Sequence, residues 1–166
     1  ATEWWDSNGK FKPLHMLNPC RLEFITDHLY MHFKKDLTID KKPLKGLKIL
    51  DIGCGGGLLC EPMARLGAEV LGIDVVEKNI KVASLHAKKM KLDIDYRHIS
   101  AEDLLRKKPK FDVILNMEVI EHVENPAFFI EICSNLLKTR GLIFCSTINK
   151  NFKSYLFAIL GAEYIM

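Results

Sequence analysis

The sequence has few of the features that mark a membrane-spanning, disulfide-bonded or nucleic-acid-binding protein. It contains no run of 18 apolar residues, so no transmembrane helix is predicted. Its five cysteines are an odd number without a C-x-x-C pair, which disfavours a disulfide framework and a zinc site and indicates a reducing compartment. The formal net charge of +3 is too small to indicate binding to nucleic acid.

Short apolar runs alternate with amphipathic segments, and 48% hydrophobic residues in a chain of 166 suffice for the core of one domain. The alternation predicts an α/β fold with a doubly wound, mainly parallel sheet. The predicted strands are 48–52, 69–73, 95–99, 111–116 and 142–147. The predicted helices are 19–34, 58–66, 76–91, 102–107 and 126–138, with Asn18-Pro19 and Asn125-Pro126 as N-terminal caps.

Within a single domain, 1–166, three parts are expected. Residues 1–47 form an N-terminal lid and helix, 48–148 the ligand-binding core, and 149–166 an amphipathic segment. The abrupt start and the apolar end of the sequence suggest a piece of a longer protein that lacks the last strands of the sheet.

A glycine-rich loop directly follows the first predicted strand. Gly53, Gly55, Gly56 and Gly57 allow a close approach of the backbone to a ligand, which is typical of a nucleotide-type pocket. The dinucleotide fingerprint G-x-G-x-x-G requires a glycine at its sixth position, where this sequence has Leu58, so a nicotinamide cofactor is disfavoured. The alternative is a glycine-rich turn without a ligand.

Two carboxylates flank this loop in the sequence. Asp51 precedes the glycines, where it would repel a pyrophosphate but attract the ammonium and sulfonium groups of S-adenosylmethionine. Asp74 ends the second predicted strand, at the spacing of an acid that binds ribose hydroxyls. The pattern therefore predicts S-adenosylmethionine as the cofactor.

A second group of polar residues follows the fourth predicted strand. If the segment is helical, Glu118, Glu121 and His122 lie at i, i+3 and i+4 on one face, a donor set that suits magnesium or manganese better than zinc. A bound metal would lower the pKa of a catechol hydroxyl. The alternative is that the acidic residues are exposed and that His122 pairs with one of them. His15 is a weaker candidate for the imidazole.

Residues 149–166 combine two lysines with several aromatic and aliphatic residues. This composition is typical of an amphipathic helix that lies in the interface of an anionic membrane. The alternative is that the segment packs as part of a core.

Several motifs resemble a known family. Asp51-Ile-Gly-Cys-Gly-Gly-Gly57 is similar to the cofactor loop of the class I S-adenosylmethionine-dependent methyltransferases. More selective motifs resemble the O-methyltransferases of ubiquinone biosynthesis over the whole chain. They are Trp4-Trp5-Asp6, Phe11-Lys-Pro-Leu-His15, Asn18-Pro-Cys-Arg21, Glu118-Val-Ile-Glu-His122, Ser146-Thr-Ile-Asn149 and Gly161-Ala-Glu-Tyr-Ile165. Thr139-Arg140-Gly141 departs from the Pro-Gly-Gly turn of many relatives, and a tolerated change of turn is expected.

The resemblance implies methyl transfer from S-adenosylmethionine to a catechol hydroxyl of a polyprenylated ring. It implies a Rossmann-like fold and cofactor contacts from Arg21, Gly53, Asp74 and Met117, beside Asp51 and Gly55. Glu102 follows the third predicted strand, where this fold often contacts adenine.

The same resemblance implies a Mg²⁺ site formed by Glu118, Glu121 and His122, with His122 and Glu121 as the catalytic residues. It also implies membership of a coenzyme Q biosynthetic complex and peripheral contact with an anionic membrane. The expected location is the matrix side of the mitochondrial inner membrane, or the cytoplasmic face in a bacterium. The alternatives are a catalytically inactive scaffold that binds cofactor or lipid and, more remotely, a nicotinamide-dependent oxidoreductase.

Overall fold

Five parallel strands form the sheet of the computed structural model, which describes residues 3–34 and 41–147. Their spatial order is β3-β2-β1-β4-β5. The strands are β1 (Lys48–Ile52), β2 (Glu69–Asp74), β3 (Asp95–His98), β4 (Phe111–Met117) and β5 (Leu137–Ser146). The predicted α/β fold with a doubly wound parallel sheet is confirmed.

Helices connect the strands and cover both faces of the sheet. They are α1 (Lys12–Phe33), α2 (Cys60–Arg65), α3 (Glu77–Lys89), α4 (Ala101–Arg106) and α5 (Pro126–Leu136). Two short 3-10 helices, Glu3–Trp5 and Ile120–His122, precede α1 and follow β4.

The core has two layers because successive side chains of a strand point to opposite faces. On one face, Ile49 of β1 belongs to a buried cluster with Leu29 of α1. On the other face, Leu50 belongs to a second cluster with Ile132 of α5. Each such side chain contributes roughly 1.5–3 kcal/mol by leaving water.

The sheet reverses its strand order between β1 and β4. The chain proceeds outward from β1 to β2 and β3 and then crosses to β4 on the other side of β1. In open α/β sheets, such a reversal leaves a crevice at the carboxyl ends of the two central strands. The glycine loop, which follows β1, and the bend at Glu118, which follows β4, both begin at this crevice.

The first helix begins at Lys12, so the predicted start at residue 19 is wrong. Pro13 lies in the first turn, where a missing N–H costs nothing, and Pro19 lies inside the helix. Asn18 does not act as a cap, because its Nδ2 donates to the carbonyl of Leu58 at 2.9 Å. The Asn18-Pro19 pair therefore has the sequence of a helix cap, but the side-chain amide of Asn18 makes a tertiary contact instead.

The last strand begins at Leu137, five residues before the predicted 142. The predicted turn at Thr139-Arg140-Gly141 lies inside this strand. The pairing of β4 with β5 shifts register between Phe111 and Val113, and Arg140 has a left-handed φ of 64°. An irregularity within the ladder therefore accommodates residues that the pattern assigned to a turn.

The predicted amphipathic segment 149–166 lies outside the described residues. Within 3–34 and 41–147, no helix combines the length and apolar content needed to cross a bilayer.

A buried carboxylate joins the N-terminal segment to the domain. Glu61 of α2 is 1% exposed and accepts hydrogen bonds from Arg65 Nη2 at 2.8 Å and His86 Nδ1 at 2.5 Å. The imidazole of His86 stacks on Trp5 with 3.7 Å between ring centroids. Trp5 Nε1 in turn donates to the carbonyl of Gly56 at 3.0 Å. This chain of contacts holds the segment against the glycine loop.

We expect Glu61→Ala to lower the free energy of unfolding by roughly 1–3 kcal/mol, since two donors lose a buried acceptor. Glu77→Ala is the matched control and should cost much less, because Glu77 forms an ion pair with Lys81 in which both side chains are exposed. Urea denaturation of both variants measures the difference. Equal losses would show that the buried carboxylate has no special role.

Candidate functional site

A cavity of about 170 Å³ lies at the carboxyl ends of β1 and β4. Its lining includes five residues predicted to contact a cofactor. They are Arg21, Asp51, Gly53, Gly55 and Met117. The first belongs to α1, the next three to β1 and its loop, and the last to β4. Residues up to 96 positions apart in sequence thus share one site.

Asp74 holds the loop to the end of β2. Its Oδ2 accepts from the backbone N–H of Gly55 at 2.9 Å and from Asn79 Nδ2 at 3.2 Å. Its Oδ1 accepts from the backbone N–H of Val76 at 2.8 Å. The side chain is 7% exposed and fixes the geometry of the loop that borders the cavity.

Asp51 places a second buried carboxylate at the cavity. It is 3% exposed, and Cys60 Sγ donates to its Oδ2 at 3.1 Å. Burial raises the pKa of Asp51 to about 7, the hydrogen bond from Cys60 opposes this, and the charge of Asp74 adds to it. A cation in the cavity would therefore stabilise the ionised form of Asp51.

The loop glycines are required by the protein's own packing. Gly53 has a φ of 69°, and a Cβ there would collide with Val119. Gly55 has a φ of 53°, and a Cβ there would lie 2.5 Å from the ring of Trp4. The sequence interpretation assigned this space to a ligand alone. In the structure, Val119 and Trp4 also lie against the backbone of the loop.

An ion pair closes one wall of the cavity. Arg21 Nη2 donates to Glu118 Oε1, and the two side chains are 14% and 21% exposed. Ser146 Oγ also donates to Glu118 Oε1, at 2.9 Å. Glu118 Oε2 is buried and has no hydrogen bond within the described ranges. One oxygen of this carboxylate is therefore committed to protein contacts, whereas the other is not.

The helix on which the metal prediction depended does not form. Glu118 has a left-handed φ of 60°, and the 3-10 helix begins only at Ile120. Because Glu118 lies in a bend before the 3-10 helix that contains Glu121 and His122, the predicted i, i+3, i+4 face is wrong.

The donor set does not fit a divalent cation in this arrangement. Over residues 3–34 and 41–147, no three His, Cys, Asp or Glu side chains converge on a position that could hold a metal. His122 is exposed, and the Arg21 guanidinium beside Glu118 would repel a cation.

Glu102 lies away from the cavity. It is exposed in the first turn of α4, after Ser100, whose Oγ accepts from the backbone N–H of Asp103 at 3.1 Å. It is absent from the cavity lining in the described part of the chain. Its predicted contact with adenine stays a prediction.

Three polar residues of the site were not predicted from the sequence in these roles. Asn79 accepts from Trp4 Nε1 at 3.2 Å and donates to Asp74. Asn18 lines the cavity, and Ser146 supports Glu118. The sequence signal of Asn18 indicated a cap, and nothing local distinguishes Asn79 from an exposed helix residue.

Comparisons with known proteins identify the kind of domain. A family model described as a methyltransferase domain matches residues 50–145. Ubiquinone biosynthesis O-methyltransferase from Roseobacter denitrificans is 60% identical over all of this chain and 66% of its own length. The protein of the same name from Pelagibacter ubique is 58% identical over all of this chain and 68% of its own length. The chain thus spans about two thirds of these curated relatives.

A solved structure supports the fold. Magnesium protoporphyrin IX methyltransferase from Synechocystis PCC 6803, solved with bound SAH, is 25% identical with a TM-score of 0.61. The match covers 72% of this chain and 55% of that protein. With the domain match and the two relatives, it shows that the chain belongs to the S-adenosylmethionine-dependent methyltransferases, within the family of ubiquinone biosynthesis O-methyltransferases.

Proposed function

We propose that this protein transfers a methyl group from S-adenosylmethionine to a catechol hydroxyl of a polyprenylated ring in ubiquinone biosynthesis. The observation that carries the proposal is the cavity at the reversal of strand order, where carboxylates and one guanidinium surround a space beside the glycine loop. The names of the relatives support the substrate class.

The charges of the cavity match those of S-adenosylmethionine. Arg21 is the one basic residue in its lining, as far as the chain is described, and a guanidinium binds a carboxylate well. Asp51 can stabilise the ammonium or sulfonium. When the carboxylate of the cofactor binds Arg21, the ion pair between Arg21 and Glu118 is broken.

S-adenosylmethionine supplies a methyl group on a positively charged sulfur. The acceptor oxygen forms the new O–C bond as the C–S bond breaks, the sulfur becomes neutral, and the hydroxyl proton must leave. Glu121 and His122, predicted as the catalytic residues, do not belong to the cavity lining among the residues described, whereas Glu118 does. We therefore propose that the Glu118 carboxylate accepts this proton after its ion pair with Arg21 has broken.

No step is assigned to a metal, because the three side chains implied by the resemblance do not converge.

The proposal also includes peripheral contact of residues 149–166 with an anionic membrane and membership of a coenzyme Q complex. The membrane would be the mitochondrial inner membrane on its matrix side, or the inner membrane on its cytoplasmic face in a bacterium.

The purified protein is expected to incorporate label from methyl-labelled S-adenosylmethionine into the oxygen of a short-chain prenylated catechol. Assays with magnesium and with a chelator run in parallel; turnover is expected to be unchanged in the chelator, and its loss there would show that the reaction needs a metal. Cofactor binding without transfer to any catechol would favour the inactive scaffold. Absence of both would overturn the proposal.

Arg21→Ala is expected to weaken binding of S-adenosylmethionine about tenfold or more, because the cofactor carboxylate loses its cation. Isothermal titration calorimetry measures the affinity. The double variant Arg21→Ala with Glu118→Gln separates the causes, since it leaves no unpaired carboxylate. If the double variant regains normal affinity, the weakening came from Glu118 and Arg21 does not contact the cofactor.

Binding of S-adenosylmethionine at about pH 7 should release protons from the protein. Asp51 is partly protonated there because its pKa lies at about 7, and a cation beside it lowers that pKa. Affinity should therefore rise with pH through this range. Calorimetry in buffers of different ionisation enthalpy counts the protons. Asp51→Asn should abolish the release, and a release that persists in this variant would assign it to another group.

A further inference from the structure

A second cavity, of about 240 Å³, adjoins the cofactor cavity between α1 and the ends of β4 and β5. We call it the side groove. Its lining consists of Cys20, Arg21, Phe24, Ile25, Met117, Phe144, Cys145 and Ser146. Arg21 and Met117 also line the cofactor cavity, so these two side chains border both spaces.

The side groove is polar at the end that meets the cofactor cavity. There, Ser146 Oγ and Arg21 Nη2, which belong to its lining, both donate to Oε1 of Glu118, which lines the cofactor cavity and not the side groove. Glu118 Oε2 is buried nearby without a hydrogen bond in the described part of the protein. A hydroxyl group of a ligand could donate to this oxygen, and the polar end therefore suits a hydroxyl-bearing ring.

The rest of the side groove is apolar. Phe24 and Phe144 make an edge-to-face pair with 6.2 Å between ring centroids, and Ile25, on the buried side of α1, is 1% exposed. Phe24 nevertheless remains 56% exposed. The chemistry of the lining therefore favours a ligand with a polar head and a hydrocarbon arm whose head lies toward the cofactor cavity.

We propose that the side groove binds the methyl acceptor, with the catechol hydroxyl at Glu118 and the first prenyl units along Phe24 and Phe144. This inference rests on the proposed function and adds where the acceptor lies and which side chains recognise its arm. Phe24 is then a specificity residue, because it contacts the hydrocarbon and not the reacting atoms.

Phe24→Ala tests the proposal. We expect kcat/KM for a catechol bearing two isoprene units to fall about tenfold through KM, while a catechol without an arm changes less than about twofold. Phe24→Leu should restore most of the loss. Met31→Ala is the matched control, since Met31 lies on the same helix, is 69% exposed and does not line the side groove.

Cys20→Phe provides a second variant of opposite design, because it fills the side groove instead of emptying it. It too should selectively impair the prenylated acceptor, with unchanged affinity for S-adenosylmethionine. Equal effects on both acceptors, or none, would overturn the assignment while leaving methyl transfer intact. A wild-type protein that methylates neither catechol would overturn the proposed function and this inference together.

Discussion

An excess of negative charge at the carboxyl edge of the sheet is the constraint on which the site depends. Asp51 and Asp74 are both buried there, and Arg21, the cation of the described cavity lining, already pairs with Glu118. Burial removes the water that would solvate the Asp51 carboxylate, which raises its pKa to about 7, and the charge of Asp74 adds to the rise. Such a site favours a ligand that carries positive charge, and it disfavours a pyrophosphate for the same reason.

The sheet could be predicted because each strand is a short apolar run between polar segments, and burial on both faces leaves little freedom of register. The errors occur where a local signal competes with a tertiary contact. Asn18-Pro19 resembles a helix cap, but the amide is used by Leu58, 40 residues away. Likewise, Gly141 resembles a turn residue, but it lies within the irregular part of β5, between residues 137 and 142, which both pair with β4.

The candidate site was predictable to the extent that its residues follow strands. Asp51, the loop glycines and Met117 come together because the carboxyl ends of parallel strands share one edge. The predicted metal site could not be tested by the positions of residues that follow strands. Its geometry required a helix from Glu118, whereas a left-handed φ and an ion pair with Arg21, 97 residues away, direct that carboxylate elsewhere.

Helix α1 connects the two spaces of the site. Asn18 and Arg21 line the cofactor cavity, and Cys20 and Phe24 line the side groove. Asn18 and Arg21 are three residues apart, and Cys20 and Phe24 are four apart, so each pair lies on one face of the helix. Arg21 lies at the border between the two faces and lines both spaces. The seven-residue extension of the helix toward Lys12 also places its first turns beside Trp4, whose carbonyl lies 2.8 Å from His15 Nε2. One rigid element can therefore position the cofactor cavity, the side groove and the aromatic cover of the glycine loop relative to one another.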